Sequence, residues 1–162
     1  MNDSLTAPFP PFFHVVYGSR RDLSLALATI GPPEETVVRT VRGGKMRARS
    51  GVFDEMAAAL QFPWYFGQNW DALDECLRDL DWLRAKHVIV AIADASELLA
   101  DAPEREGETF AAIIKRATME HDSDILQSFH VVLQAPPDPP PDRLDAWFGP
   151  LEPLGGSGRR AG

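Results

Sequence analysis

The chain has 162 residues, 24 acidic against 16 basic, a formal net charge of −8 and one cysteine, Cys76. The length sets the expectation of a single domain that buries roughly 70% of its unfolded surface without staples. The lone cysteine excludes an internal disulfide and any paired-cysteine zinc or redox motif, and the acidic balance opposes direct nucleic-acid binding and favours a basic partner.

No apolar run reaches the roughly 18 residues of a membrane span. The start, MNDSLTAPFPPFF, lacks the basic residues and apolar core of a secretion signal. A cytoplasmic protein with no membrane partner is therefore expected. Residues 1–34 read as an N-terminal extension. Within it FFHVVY (12–17) is a short apolar run of strand type, and SRRDLSLALATIG (19–31) a helix with Ser19 as cap and Gly31 as stop. GPPEE then breaks the chain.

The middle zone, 35–134, carries the strongest periodicity. TVVRTV is a strand, turned by RGGKM. Ser50 is expected to cap GVFDEMAAALQF, where Val52, Phe53, Met56, Ala59 and Leu60 share one face. After FPWYFGQN a second helix runs from about Gln68 to Leu83. HVIVAIA is almost wholly apolar, as in a parallel strand covered on both faces. ETFAAIIKRATMEH makes a third helix, with Phe110, Ile113, Ile114 and Ala117 inward, and SFHVVLQ the last strand. Strands alternating with helices predict an α/β three-layer sandwich. Its small parallel sheet has three strands, or four if FFHVVY joins. Residues 135–162, rich in proline and then glycine, read as an extended tail, with LDAWFGPL as a segment able to dock back.

The stretch FPWYFGQNWDALDECL (62–77) carries the functional signal. On the helix that follows the loop, Leu73, Cys76, Leu77, Leu80 and Leu83 fall on one side, and Asp71, Asp74, Glu75 and Asp79 on the other, three and four residues apart. Like charges at that spacing repel by a few tenths of a kcal/mol per pair, which Arg78 only partly relieves. Trp64, Tyr65, Phe66 and Trp70 cannot all be core. Rings left outside beside fixed carboxylates make a binding patch for a basic cleft.

The same stretch resembles the signature of the barstar family, intracellular protein inhibitors of ribonucleases such as barnase. Pro63, Tyr65, Phe66, Gly67, Asn69, Asp71, Ala72, Leu73, Cys76 and Leu77 fit that pattern without a gap, and the likeness extends over about 35–134. The resemblance implies a three-stranded parallel sheet flanked by helices. It also implies that the second main helix and its preceding loop plug a ribonuclease active site, carboxylates standing in for RNA phosphates. Carried over, Tyr65 matches an interface tyrosine, Asn69 and Trp70 contact positions, Asp71 an interface aspartate, and Glu75 the position of the most important acid. Asp79 and Leu80 fall where a glycine and a tryptophan are expected. Asp74 replaces an interface tryptophan. An interface acid on the third helix aligns near Lys115 or Arg116, so it is lost or reversed, with Glu120 one turn on as a substitute.

The expected partner-binding set is thus Tyr65, Asn69, Trp70, Asp71, Asp74, Glu75 and Asp79, facing a small basic ribonuclease or related basic toxin. No cofactor, metal or catalytic residue is expected. The alternative within the same fold is an interaction module with a non-nuclease target. A hydrolase using Asp71 and Glu75 as acid and base is the reading from another class, but no sugar cleft is suggested nearby. The histidines at 14, 87, 121 and 130 lack metal-ligand spacing, Cys76 sits on an apolar face, and no phosphate-loop pattern occurs. Arg42, Lys45, Arg47 and Arg49 form a basic strip read as a solvated face.

Overall fold

HVIVAIA becomes a central strand because both its faces are covered. In the computed structural model, which describes residues 3–30, 33–137 and 142–154, this strand is β3 (His87–Ala93) in chain order. Val88, Val90 and Ile92 enter one apolar cluster, and Ile89, Ala91 and Ala93 the other. Its neighbours are β2 (Thr36–Arg42) and β4 (Ser128–Ala135), both parallel to it. The register sets Val37 opposite Val88 and Val88 opposite Phe129.

Among the described residues the sheet has five strands rather than three or four. β1 (Phe13–Tyr17) pairs with the far side of β4, Phe13 opposite Val131, and a two-residue β5 (Glu152–Pro153) pairs with β1. The order is β2-β3-β4-β1-β5, all parallel. FFHVVY thus supplies the extra strand it offers, and the fifth comes from the tail.

Helices flank both faces. α2 (Arg49–Leu60), α3 (Trp70–Asp79), α4 (Glu104–Met119) and α5 (Asp142–Phe148) contribute to the larger cluster, and α1 (Arg20–Leu27) places Leu23 in the smaller one. Ser19 caps α1 in a reciprocal box with Asp22. The helix ends at Leu27, and the expected stop at Gly31 lies outside the described residues.

Ser50 does not cap α2. Ala48 holds that position without a side-chain bond, and Ser50 lies in the first turn. A Cβ on Gly51 would stand 2.1 Å from the Lys45 carbonyl oxygen, so the chain enters this helix pressed against the preceding turn. Within the C-terminal stretch, Leu144, Trp147 and Phe148 of α5 are buried, and Trp147 lies on Gly107 of α4. Residues 138–141 and 155–162 of the expected tail lie outside the described residues.

Candidate functional site

The loop from Gln61 to Asn69 sorts its rings by side. Phe62 and Phe66 meet edge to face at 5.0 Å. Phe62 reaches Trp82 at 6.1 Å, and Phe66 reaches Phe53 at 6.2 Å. Trp64 and Tyr65 point the other way, 95% and 71% exposed, their rings 5.9 Å apart. The backbone is held by Phe66 N–H on the Pro63 carbonyl, and Gln68 takes a left-handed φ of 55°. Gln68, not Gly67, therefore carries the strained conformation of this turn.

Asn69 ends the loop as the cap of α3. Its Oδ1 accepts from Ala72 N–H at 2.8 Å, and its Nδ2 donates to the Gly67 carbonyl at 3.1 Å. Both polar ends of this side chain are thus engaged locally. Trp70 is half-buried against Phe53 and Phe110, at 5.0 and 6.3 Å, and its indole N–H donates to Glu106 at 2.7 Å. Its position anchors α3 to α4.

α3 is shorter than the expected Gln68–Leu83. Leu80 turns left-handed at φ 53° and ends it, and Asp81–Leu83 form a separate 3-10 turn. There the Trp82 indole donates to the Leu60 carbonyl at 2.8 Å. Leu73 and Leu77 are buried, as the pattern requires. Asp71, Glu75 and Asp79 lie exposed at successive turns of the outward face. Among the described residues none forms an ion pair with these three.

Asp74 differs from the outward placement its spacing suggests. Its side chain is only 14% exposed, in the seam between α3 and α4. Arg78 and Arg116 both approach its carboxylate at 3.2 Å, and Arg78 continues to Asp122 at 3.2 Å. Arg116, one of the two positions near which the resemblance implies an acid, is thus a counter-ion of Asp74, where it implies a ring. Reading the positions singly misses this. The signal was their joint departure on two neighbouring helices.

Burial first, then the negative charges of Asp79 and Glu75, push the Cys76 thiol above its ordinary value, the wrong direction for a nucleophile. Among the described residues no group of three His, Cys, Asp or Glu is placed to hold a metal ion. The basic strip is largely neutralised: Arg42 pairs with Glu55 at 2.5 Å, Arg47 with Asp101 at 2.9 Å, and Arg49 with Glu106 at 3.7 Å. Among the described residues no helix is long and apolar enough to cross a membrane.

Comparison with known proteins adds a family. A family model described as "Barstar (barnase inhibitor)" matches residues 36–134. No curated protein matches. Among solved structures, the ORC2 protein of Aeropyrum pernix in its ADP form is similar, with a TM-score of 0.61 at 11% identity. The match covers 94% of this chain and 43% of that one, and is a likeness of fold alone.

Proposed function

This chain belongs to the barstar family, and from that premise we propose that it is a stoichiometric protein inhibitor of a small basic ribonuclease or related basic toxin. α3 and the loop before it plug the enzyme's active site, and exposed carboxylates take the places of RNA phosphates. The protein works by occupancy, without turnover, in the cytoplasm, where a cell needs protection from such an enzyme.

The observation that carries this reading is the row Asp71, Glu75 and Asp79. It is exposed at one-turn intervals and lacks ion pairs among the described residues, whereas most arginines in the neighbouring strip are already matched by acids. Unmatched surface charge of one sign steers a partner of the other sign and weakens with salt. Tyr65 is exposed on the loop that leads into α3, and Asn69 and Trp70 set the angle at which α3 leaves that loop. Asp74 contributes by holding Arg116 and Arg78 back from the contact face.

A second reading rests on Arg116. A base on α4 where the family pattern has an acid suits a barstar-like module whose target is not a nuclease.

Inhibition of a panel of small basic microbial ribonucleases, barnase included, tests both at low and high salt. Asp71→Ala with Glu75→Ala is the control. One-to-one inhibition, lost in the control, is the expected result. Absence of inhibition across the panel at low salt would sink the ribonuclease reading and leave the second.

A further inference from the structure

Two large rings, Trp64 and Tyr65, project from a loop whose other two aromatics, Phe62 and Phe66, are pinned to the core. Single exposed apolar residues are ordinary on protein surfaces. This pair is different, because its rings are adjacent in an edge-to-face arrangement and its loop is fixed at both ends. Phe62 continues directly from α2, its N–H bonded to the Ala57 carbonyl at 3.0 Å, and Asn69 begins α3. At 95% exposure Trp64 gains nothing from the fold it belongs to.

The loop that carries the pair runs directly into α3, whose first turn holds Asp71, the start of the row of exposed carboxylates. A ring face prefers a cation, and a guanidinium more than an ammonium, because its plane is weakly hydrated and stacks. The net charge of −8 and the exposed acids of α3 favour the same guest and disfavour an anionic one.

We propose that Trp64, supported by Tyr65, is a stacking platform for an arginine side chain of the partner, at the rim of the surface that Asp71, Glu75 and Asp79 occupy. The inference rests on the inhibitor reading for the identity of the partner, but the platform itself needs only an arginine. Trp64 thereby acts as a specificity-determining contact, selecting partners with an arginine beside the basic cleft over those with lysine there.

The test uses the full chain and an acetylated arginine–glycine repeat peptide, with citrulline–glycine and lysine–glycine peptides as controls. Indole N–H resonances are followed by NMR, that of Trp64 being the one that disappears in Trp64→Leu. The arginine peptide should move it saturably and the citrulline peptide should leave it in place. Trp64→Leu should bind the arginine peptide about tenfold more weakly, within the range of a solvent-exposed to partly desolvated cation–π contact. Trp64→Phe should recover most of the loss. An exposed site predicts unchanged thermal stability in both variants.

An unmoved Trp64 resonance, an equal response to citrulline, or full binding by Trp64→Leu would each overturn the proposal. Its failure is separable from failure of the inhibitor reading. Inhibition that survives Trp64→Leu but not Asp71→Ala with Glu75→Ala removes the platform and keeps the inhibitor. Arginine binding at Trp64 without inhibition of any ribonuclease does the reverse.

Discussion

Arg116 of α4 reaches across the helix seam to Asp74 of α3, Nη1 to Oδ2 at 3.2 Å, and Arg78 closes on the same carboxylate from one turn along α3. The two positions at which the resemblance implies a ring and, near Lys115 or Arg116, an acid are thus coupled here, and each of Asp74 and Arg116 supplies the charge the other needs.

Asp74→Ala should cost about 1–2 kcal/mol in urea unfolding, because a largely covered carboxylate leaves two guanidinium groups without it. Arg116 is half-exposed, so Arg116→Ala should cost less than about 1 kcal/mol. The double mutant should lose less than the sum of the singles, by about 0.5–1 kcal/mol. Strict additivity would show that the seam is held by packing and that the pair is incidental.

Much of this architecture was legible in the chain. β3 announces itself because a strand covered on both faces must be apolar throughout, and α2 and α4 because a helix with one buried side repeats its apolar residues every third or fourth place. What escaped depends on contacts between distant segments. Leu80 ends α3 by turning left-handed, a conformation leucine adopts only when its side chain is anchored, here at 2% exposure. α5 was legible only as a segment able to dock back, not as a helix, because its seat, the bare backbone of Gly107, lies 40 residues upstream (147 against 107). The outward acids were readable from spacing alone. The inward turn of Asp74 was not, since a helical wheel does not know which neighbouring helix carries an arginine.

Reversal of charge at the outward row separates binding from folding. Glu75 is exposed and without an ion pair among the described residues, so Glu75→Lys should unfold within about 0.5 kcal/mol of the parent. Binding to an inhibited ribonuclease should fall by at least the roughly 2–5 kcal/mol typical of truncating one side of a desolvated charge pair. Association should also slow steeply between low and high salt for the parent, and much less for the variant. Measurement of association rates over a salt series decides this. A Glu75→Lys protein that binds as the parent does would refute the acidic plug.

Gly107 offers a prediction whose sign is diagnostic. In an ordinary helix interior, glycine to alanine stabilises by up to about 1 kcal/mol. Here the new Cβ would lie 2.0 Å from Cζ2 of Trp147. That ring cannot step aside freely, since its indole N–H donates to Glu104 at 2.7 Å and the Arg143 guanidinium lies 4.7 Å over it. Gly107→Ala should therefore destabilise by about 1–3 kcal/mol through overpacking. Trypsin should cut faster at Arg143 as α5 lifts. A stabilised variant with an unchanged cleavage rate would mean that α5 does not dock on α4 as described.

Two histidines buried between β1 and β4 resist protonation in the fold, and burial lowers the pKa of His87 as well. His14 of β1 and His130 of β4 are fully buried, with Nε2 of His14 2.9 Å from Nδ1 of His130. Nε2 of His130 lies 2.8 Å from the Ala7 carbonyl oxygen, which can only accept, so that nitrogen carries the hydrogen. Nδ1 of neutral His130 is then an acceptor, and His14 donates to it. Burial, and next the repulsion from His130, lower His14 from 6.5 to about 4. Burial lowers His130 as well, against the pull of the Ala7 hydrogen bond. Above 6.5 both states are neutral and the pair costs nothing. As pH falls below 6.5 the unfolded chain takes up protons that the folded chain refuses, so stability drops by about 1.4 kcal/mol per pH unit for each such histidine until its folded value is passed. Carboxylates held low by partners, such as Glu55 and Asp101, lose their contribution only at more acid pH, which leaves the interval from 6.5 to about 4 largely to the histidines. Unfolding free energy measured by urea across that interval should therefore slope downward toward acid. His14→Asn keeps a donor toward His130 but does not titrate, so its curve should start lower, because of the lost volume, and run flatter by about one proton's slope. A parallel curve would show that His14 accepts its proton freely in the fold, and that β1 does not seal it against β4.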